Sequence, residues 1–465
     1  MSAREERLRA RASEAGQSHV IDALAGLAPA ARERLLAQLE RVDFDLVRKH
    51  GALIRSNGSV SSAPRLEPAE VCAPRRSSRD RERAERAASA GREALARGEV
   101  GFLVVAGGQA SRLGYDGPKG AYRIGPVSDW SLFEIHARRI RAATERHAHR
   151  APWYVMTSQS NERATREFFE RHGYFGFAPD DVRFFSQAMV PALDAQGRIL
   201  MASESELFLA PNGHGGSLEA FAASGALEHA RSRGVRHLSY FQVDNPLAPP
   251  ADPCFLGLHI LEGAQMSSKV VPKRDAGEKV GVIGRVDGRL GCIEYSDLPV
   301  ELREARDERG ELRFGAGNIA LHVLDLEFIA QLNRGGLQLP WHLARKSMNV
   351  WDGSRVAPVQ GYKFETFVFD ALERATRSVT LEVERQREFS PVKNAAGEDS
   401  PATTRADLCR LHSHWVRTAG FELPAADEHG IHPVEVDPLL AEDLETFLAR
   451  RPARPLVNER GHLYR

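Results

Sequence analysis

Apolar residues recur at steps of three and four through the amino-terminal part of the chain. The recurring positions are Ile21, Leu24, Leu27, Leu35, Leu36, Leu39, Val42 and Leu46. Because this spacing places side chains on one face of a helix and Pro29 interrupts it, residues 20–47 predict two amphipathic helices. A loop rich in Ser, Gly and Pro is predicted over residues 56–74, and a further helix ends near Gly98. We therefore expect residues 1–98 to form an appended helical unit.

The pattern changes at Gly101, where the run GFLVVA is short, continuous and apolar. Such a run is typical of a strand buried on both faces of a parallel sheet. Further strands are predicted at 153–157, 182–185, 238–243 and 268–271, with helices at 132–146 and 161–172. This alternation predicts a three-layer, Rossmann-like α/β domain over residues 99–396, with a mixed and mostly parallel sheet. A small carboxy-terminal domain is expected over residues 397–465, where residues 437–465 combine one helix with short extended pieces.

The charges of the chain balance, because 63 basic and 63 acidic residues cancel. The Arg- and Glu-rich residues 75–92 are expected to form a solvated helix face, so neither nucleic acid nor a membrane surface is expected as a partner. No segment approaches the roughly 20 apolar residues that span a bilayer, and the charged amino terminus lacks a signal-like apolar stretch. The 4 cysteines show no C-x-x-C spacing, which argues against disulfides and structural zinc. A cytoplasmic protein is therefore expected.

A glycine-rich turn follows the first buried strand, with the sequence GGQASRLG at 107–114. Its glycines, Gly107, Gly108 and Gly114, allow unusual backbone angles and let amide groups approach a ligand closely, which suits phosphate. Two fixed cations, Arg112 and Lys119, accompany these donors and favour a phosphate site over an ordinary turn. The spacing fits neither the dinucleotide fingerprint G-x-G-x-x-G nor the P-loop G-x-x-x-x-G-K-[ST]. NAD binding and P-loop hydrolysis therefore lose support.

Other candidate residues lie on predicted strands or just beyond them. Asp244 stands where strand 238–243 ends, and a carboxylate at that edge of a parallel sheet is well placed to hold Mg²⁺ against substrate phosphates. Gln187 follows another strand, and its amide carries the donor and acceptor that suit the edge of a uracil ring. Phe367 and Phe369 lie two residues apart on a predicted strand and so face the same way, for which core packing is the default explanation.

The glycine-rich turn, followed by Pro118-Lys119-Gly120, resembles the signature loop of sugar nucleotidyltransferases. Further segments occur in the order seen in eukaryotic-type UDP-N-acetylglucosamine pyrophosphorylases of the UDP-sugar pyrophosphorylase (UDPGP) family. They are WYVMTS at 153–158, FSQAMVP at 185–191, VDN at 243–245, VGV at 280–282, EYS at 294–296, GAGNIA at 315–320, KFETFVFD at 363–370 and FSPVKN at 389–394. The resemblance covers nearly the whole chain and implies a GT-A-like nucleotidyltransferase fold for the central domain.

The resemblance also implies roles for matching residues. Gln187 and the loop PNGHGG at 211–216 hold the uridine, with Gly213 approaching through its backbone. Asp244 is the metal ligand, and Asn245 beside it is a substrate-binding candidate. The hexose-binding positions are Gly281, Glu294 and Asn318; Phe367 and Phe369 surround the N-acetyl methyl group; Lys363 and Lys393 neutralise the sugar phosphate and the transferring α-phosphate. At one position this chain departs, since N-acetylglucosamine enzymes usually carry Asn where it has His214, whereas UDP-glucose pyrophosphorylases carry His.

The implied activity is that of a uridylyltransferase, which forms a UDP-sugar and pyrophosphate from UTP and a sugar 1-phosphate. N-acetylglucosamine 1-phosphate is the expected sugar, and the alternatives are a UTP-glucose-1-phosphate uridylyltransferase or a broad UDP-sugar pyrophosphorylase. The sugar phosphate attacks the α-phosphorus in line, with Mg²⁺ as cofactor and with pyrophosphate leaving toward Arg112 and Lys119. A dinucleotide-binding dehydrogenase and a non-catalytic binder of nucleotide sugars are the remaining rivals. UTP and the sugar phosphate are the expected partners of a monomer or homodimer.

Overall fold

The structure is a computed structural model, and it describes residues 2–56, 64–73, 78–146, 150–450, 452 and 454–465. Its helices are α1 Ala3–Glu14, α2 Ser18–Asp22, α3 Pro29–Arg41, α4 Phe44–Ser56, α5 Ser78–Ala96, α6 Leu132–Glu145, α7 Glu162–Arg171, α8 Gly216–Ala223, α9 Ala226–Ser232, α10 Pro253–Leu261, α11 Val300–Glu304, α12 Leu326–Leu332, α13 Arg385–Glu388, α14 Pro401–Thr418 and α15 Leu444–Arg450. Its strands are β1 Leu66–Pro68, β2 Val100–Val105, β3 Trp153–Thr157, β4 Val182–Ser186, β5 Met189–Pro191, β6 Met201–Ser203, β7 Glu206–Leu207, β8 Leu209–Pro211, β9 His237–Gln242, β10 Met266–Pro272, β11 Val282–Val286, β12 Arg289–Ile293, β13 Ala316–Asp325, β14 His342–Trp351, β15 Val356–Glu365, β16 Thr380–Glu382, β17 Val434–Val436, β18 Leu456–Asn458 and β19 Gly461–Tyr464.

The chain forms two compact units, and each draws on separate stretches of sequence. Unit 1 consists of Met1–Ala63, Gln187–Ser217 and Leu339–Val368. Unit 2 consists of Pro64–Ser186, Leu218–Gln338 and Phe369–Arg465. The sequence predicts three consecutive domains, over residues 1–98, 99–396 and 397–465. Whether each of these segments folds by itself is a separate matter from the two units, and the three domains stay a prediction.

Unit 2 is built on a mixed sheet in which β1, β11, β13, β9, β2, β3 and β4 follow one another in that order. Strands β9, β2, β3 and β4 are parallel neighbours, whereas β13 runs antiparallel to β9, β10 and β11. Every residue of β2 and β3 is buried, as expected for strands that are covered on both faces. Strands β2, β3, β4, β9 and β10 confirm the five strands predicted from apolar runs. The predicted Rossmann-like α/β class is confirmed with them.

Helices pack against this sheet, and two of them approach each other unusually closely. A Cβ added at Gly91 of α5 would lie 1.9 Å from the Pro253 carbonyl oxygen, and one at Gly257 of α10 would lie 1.6 Å from that of Ala87. Such an approach requires glycine at both positions, because any side chain would collide with backbone. Helices α5, α6 and α7 confirm the helices predicted to end near residues 98, 146 and 172. The described part of the Arg- and Glu-rich stretch lies in α5 and is largely exposed; residues 75–77 lie outside the described residues.

Unit 1 packs the amino-terminal helices against strands from later in the chain. Leu35 and Leu39 of α3 share an apolar cluster with Leu193 and Phe364. Gln17, between α1 and α2, links these helices to the later segment, since its amide donates to the Gly197 carbonyl and accepts from the Ile199 N–H. The predicted pair of helices over residues 20–47 becomes the short α2, then α3 and the start of α4. Pro29 is the first residue of α3, where its missing N–H costs nothing.

The predicted loop over residues 56–74 contains a short strand in its described part. This strand, β1, pairs with β11, while residues 57–63 and 74 lie outside the described residues. At the other end of the chain, Trp415, Val434, Val436, Phe447 and Tyr464 form an apolar cluster of their own. There α15, β18 and β19 confirm the predicted helix with short extended pieces.

Three further features predicted from the sequence concern the cysteines, the membrane-spanning segments and the strand with Phe367. The four cysteines are free thiols, as their spacing predicts. Among the helices that the structure describes, none combines the length and the apolar character needed to cross a bilayer. The strand predicted to carry both Phe367 and Phe369 is wrong, because β15 ends at Glu365 and Phe369 lies in a 3-10 turn, Val368–Arg374. The alternating apolar pattern continues past the point where the ladder partner of β15 begins, at His342, so no paired backbone remains to extend the strand.

Candidate active site

The glycine-rich loop leaves β2 at the carboxyl edge of the parallel strands. It closes like a short hairpin, because the Lys119 N–H donates to the Gly108 carbonyl at 3.1 Å and the Ala110 N–H to Gly117 at 3.0 Å. Within the described part of the chain, nothing accepts a hydrogen bond from the N–H groups of Gly107, Gly108 or Arg112. The loop thus presents amide donors and an exposed Arg112, which is the chemistry of a phosphate cradle.

One of the three loop glycines adopts the unusual backbone angle that the sequence predicts. Gly114 has φ 71°, in the left-handed region, whereas neither Gly107 nor Gly108 adopts a positive φ. A further positive angle follows the loop, at Gly117 with φ 156°. At Gly108 the missing side chain instead leaves the backbone open to solvent, where a ligand can approach it.

Asn161 supports the loop from below, and the sequence analysis missed it. Its Nδ2 donates to the carbonyls of Ala106 at 2.8 Å and Gly108 at 3.2 Å, while its Oδ1 accepts from the Ser158 N–H at 2.8 Å. Asn161 is fully buried at the start of α7 but its side chain caps nothing in that helix. Only an asparagine directly before a helix could have drawn attention to it, and that signal ordinarily means a cap.

Lys119 and Asp244 meet at the edge of the sheet. Strand β9 lies parallel to β2, so the residues that follow both strands reach the same edge. The Lys119 Nζ donates to Asp244 Oδ2 at 2.9 Å, although the two residues are 125 positions apart in sequence. Both side chains are largely buried, with exposed fractions of 17% and 18%. The Asp244 carboxylate therefore faces a cation beside the phosphate cradle.

Asp244 is the residue that would hold a magnesium ion. Among the described residues, no three His, Cys, Asp or Glu side chains gather as a metal site. Mg²⁺ commonly uses one or two carboxylates and completes its shell with substrate phosphates and water. The carboxylate of Asp244 is compatible with such a site, and magnesium binding stays a prediction.

The turn after β9 is tied to the segment that carries Lys393. The Val392 N–H donates to the Asp244 carbonyl at 2.9 Å. The buried amide of Asn245 donates to the Glu388 carbonyl at 2.7 Å and accepts from the Ser390 N–H at 3.1 Å. Both of these side-chain hydrogen bonds of Asn245 are made to backbone groups, and a contact of Asn245 with substrate stays a prediction. The Lys393 ammonium lies 3.7 Å from Asp399 and is half-exposed.

The three predicted hexose-binding residues come together in unit 2. The Asn318 N–H donates to the Gly281 carbonyl at 2.8 Å. A Cβ added at Gly281 would lie 3.4 Å from Glu294 Oε1 and 2.8 Å from Cys292 Sγ, so a side chain there would fill the space between them. Cys292 was not expected in this group; its sulfur accepts from the Asn318 amide at 3.8 Å.

The predicted uridine-binding residues come together in unit 1. Strands β5 and β8 pair, and the Asn212 N–H donates to the Ala188 carbonyl next to Gln187. Gly213 has φ 82°, and a Cβ added there would lie 2.4 Å from the Thr366 carbonyl oxygen. The loop over residues 211–216 therefore lies directly on the backbone that leads to Phe367.

His214 and Phe367 lie in contact within the same unit. Their ring centroids are 5.2 Å apart, and the His342 ring lies 4.6 Å from Phe367 on centroids. Burial, with a smaller contribution from His342, lowers the pKa of His214 to about 4, so the ring is neutral near pH 7. Its Nδ1 accepts from the Val368 N–H at 3.2 Å. Lys363 also lies in unit 1, with its ammonium 5.6 Å from the centroid of Phe208, whereas Phe369 is buried and belongs to unit 2.

The structure thus combines unpaired amides, a lysine and a carboxylate at the carboxyl edge of parallel strands. This combination is typical of the class of α/β proteins that bind phosphorylated ligands at that edge. Comparison with known proteins is more specific. Residues 59–421 match the family described as UTP--glucose-1-phosphate uridylyltransferase. The chain belongs to this family and is a uridylyltransferase.

Individual relatives match nearly the whole chain. The UDP-N-acetylhexosamine pyrophosphorylase-like protein 1 of Xenopus tropicalis is 38% identical, over 95% of this chain and 94% of its own. The UDP-N-acetylglucosamine diphosphorylase 2 of Arabidopsis thaliana is 36% identical, over 94% and 90% of the two chains. The crystal structure of the uridine diphosphate N-acetylglucosamine pyrophosphorylase from Trypanosoma brucei in complex with inhibitor superposes with a TM-score of 0.83 at 30% identity, covering 97% of this chain and 95% of that one.

Proposed function

We propose that the protein forms UDP-N-acetylglucosamine and pyrophosphate from UTP and N-acetylglucosamine 1-phosphate. The observation that carries this proposal is the meeting of Lys119 and Asp244 beside the unpaired amides of the 107–114 loop. Phosphoryl transfer needs positioning and neutralisation of charge rather than a protein nucleophile, and these groups supply both. The relatives named as N-acetylglucosamine enzymes support the choice of sugar.

In this proposal the chain's own residues bind and orient the two substrates. The amides of Gly107 and Gly108, with Arg112 and Lys119, bind the phosphates that leave as pyrophosphate. Gln187 and the Gly213 backbone bind the uracil, while Gly281, Glu294 and Asn318 bind the hexose hydroxyls. Lys363, Lys393, Phe367 and Phe369 keep the roles that the resemblance implies. When bound, Mg²⁺ held by Asp244 and the phosphates offsets negative charge at the reacting phosphorus.

The central experiment measures pyrophosphate release by the purified protein with Mg²⁺, UTP and each of three sugar 1-phosphates. We expect release with N-acetylglucosamine 1-phosphate and none after chelation of Mg²⁺. Lys119→Ala should lower kcat by about 100-fold or more, because it removes a cation from the charge-stabilising group. Lys49→Ala, at an exposed position of α4, is the matched control and should leave kcat unchanged. Absence of pyrophosphate with every sugar phosphate would refute the proposed function.

A second candidate function has one specific observation in its favour. His214 is the residue that UDP-glucose pyrophosphorylases carry, and it lies against Phe367. A UTP-glucose-1-phosphate uridylyltransferase or a broad UDP-sugar pyrophosphorylase is therefore the alternative. A higher kcat/KM with glucose 1-phosphate than with N-acetylglucosamine 1-phosphate would establish it, and galactose 1-phosphate tests the broad variant.

The compartment is proposed on chemical grounds. Four free thiols, without any disulfide among the described residues, fit a reducing environment. We therefore expect the protein in the cytoplasm, acting on small-molecule substrates as a monomer or homodimer.

A further inference from the structure

We propose that Lys269, with Asp252 and Glu388, is a positioning device that fixes the turn carrying Asp244 and the segment carrying Lys393. Nothing in the glycine-rich loop or the sugar group uses these three residues. The inference rests on the function proposed above, because its purpose is to hold two residues of that site in place.

Lys269 is a fully buried lysine in the middle of β10. Its ammonium lies 2.5 Å from Asp252 Oδ2 and 2.6 Å from Glu388 Oε2, while its side chain has an exposed fraction of 0%. Burial by itself would lower the pKa of this lysine, but the two carboxylates raise it above its ordinary value. The charge is therefore retained in the interior, and a buried charge of this kind needs both partners to be held in place.

Each of the two carboxylates lies at the end of a segment that also carries a candidate site residue. Asp252 ends the stretch that begins at Asp244, and its side chain caps α10 by accepting from the Cys254 and Phe255 N–H groups. Glu388 ends α13, just before the segment FSPVKN that contains Lys393. Lys269 thus joins two separate stretches of chain, and its partner Glu388 is 119 positions away in sequence.

These contacts form a closed ring. From Asn245 the chain runs to Asp252, Lys269 joins Asp252 to Glu388, and the Glu388 carbonyl accepts from the Asn245 amide. A second bond, from the Ser390 N–H to Asn245 Oδ1, and a third, from the Val392 N–H to the Asp244 carbonyl, strengthen the same side. Any displacement of Glu388 is therefore passed to both neighbours in the turn, Asn245 and Asp244.

The other side of the turn is held independently by α6. His136 Nε2 donates to the Val243 carbonyl at 3.1 Å, and Arg139 Nε donates to the Pro246 carbonyl at 3.1 Å. With α6 fixed, loss of the Lys269 ring would loosen the turn on one side only. The expected result is a misplaced Asp244 in a protein that remains folded, and a displacement of about 1 Å near reacting groups costs up to about 100-fold in rate.

The test compares wild-type protein with Lys269→Met, which keeps the length of the side chain and removes its charge. We expect kcat to fall by about 10- to 100-fold while KM for the sugar phosphate changes by less than about threefold. Amide hydrogen exchange supplies a readout that is independent of activity, and we expect faster exchange at Ser390 and Val392 but not in β2 or β3. Val434→Ala, in the carboxy-terminal cluster, is the control for lost stability and should lower activity only in proportion to the folded fraction.

A second variant keeps the proposal testable if Lys269→Met does not fold. Glu388→Gln retains the backbone carbonyl and an oxygen that can accept from Lys269, and it should lower kcat by about three- to tenfold with the same local increase in exchange. Unchanged exchange at Ser390 and Val392 in both folded variants would overturn the positioning role. Because exchange is measured without substrates, that outcome is distinct from a wild-type protein that transfers no uridylyl group.

Discussion

Among single residues, Gly213 combines two separate reasons for being glycine. Its φ of 82° lies in the left-handed region, and an added Cβ would meet the Thr366 carbonyl oxygen at 2.4 Å. Gly225 has nearly the same angle, 79°, with nothing within 4 Å of such an atom. The two glycines therefore separate backbone strain from close approach.

We predict that Gly213→Ala destabilises the protein more than Gly225→Ala. The control, Gly225→Ala, should lower the free energy of unfolding by about 1 kcal/mol from backbone strain alone. Gly213→Ala should cost more and should also weaken UTP binding, because the loop must move away from Thr366 to admit the methyl group. Thermal unfolding and calorimetric titration with UTP measure the two effects. Equal losses of stability with equal UTP affinity would show that the close approach has no consequence.

Candidate site residues could be named from the sequence where neighbouring residues carried a recognisable pattern, and they were missed where no such pattern was present. Lys119 and Asp244 stand in recognisable surroundings, a glycine-rich loop and a strand end. Asn161 and Lys269 carry no such signal, since an asparagine before a helix and a lysine in a strand are ordinary features. Phe367 and Phe369 show the reverse, because a correct two-residue spacing predicted a strand that the backbone does not continue. Their roles, like those of the other candidate site residues, stay predictions until measured.

Among secondary-structure elements, α5 and α10 cross with a glycine of each helix against the backbone of the other. Each helix directs a glycine at a backbone carbonyl of the other, at Gly91 and at Gly257. In contrast, Gly51 lies within α4 where an added Cβ would make ordinary contacts, the nearest at 3.5 Å. The same substitution should therefore have opposite effects in the two helices.

We predict that Gly91→Ala destabilises unit 2, whereas Gly51→Ala is neutral or stabilising. Overpacking at the crossing should cost about 1–3 kcal/mol, or more if the helices must separate. In α4, alanine gains up to about 1 kcal/mol from its higher helix propensity. Urea unfolding of the two variants beside wild type gives both differences. A stabilised Gly91→Ala protein would contradict the observed spacing of the two helices.

The helices and strands themselves were largely predictable because their signal is local. Apolar runs gave β2, β3, β4, β9 and β10, and spacing of three and four gave α3 and α6. The pairing of β13 with β9, β10 and β11 was not predictable, since antiparallel partners from distant parts of the chain leave no mark in either strand. The helices of residues 1–98 also divide between both units, which periodicity cannot show.

For the molecule as a whole, buried histidines make stability depend on pH. Burial lowers the pKa of His412 to about 3 and that of His136 to about 4, compared with about 6.5 in an unfolded chain. Below pH 6.5 these two histidines therefore bind protons in the unfolded state but stay neutral in the folded state. Stability is greatest above the unfolded pKa and falls as the pH drops toward the folded values.

We predict that the free energy of unfolding decreases between pH 6.5 and pH 4, by about 1.4 kcal/mol per pH unit for each such histidine. His412→Gln should reduce this slope by one proton while its amide can still accept from the Val436 N–H. His429→Gln, at an exposed position, is the comparison variant. Urea midpoints at several pH values measure the slope. An unchanged slope in His412→Gln would mean that this ring is protonated in the folded protein.

The sequence by itself determined the α/β class and most of the strands and helices, and it predicted a phosphate site at the glycine-rich loop. It could do so because secondary structure and phosphate-binding turns are specified by neighbouring residues. The tertiary structure alone decided that the chain forms two units from interleaved segments and that Lys119 reaches Asp244. It also decided that a buried Lys269 joins Asp252 to Glu388. These contacts join residues more than a hundred positions apart in two of the three pairs, and they depend on strand order and burial rather than on any local pattern.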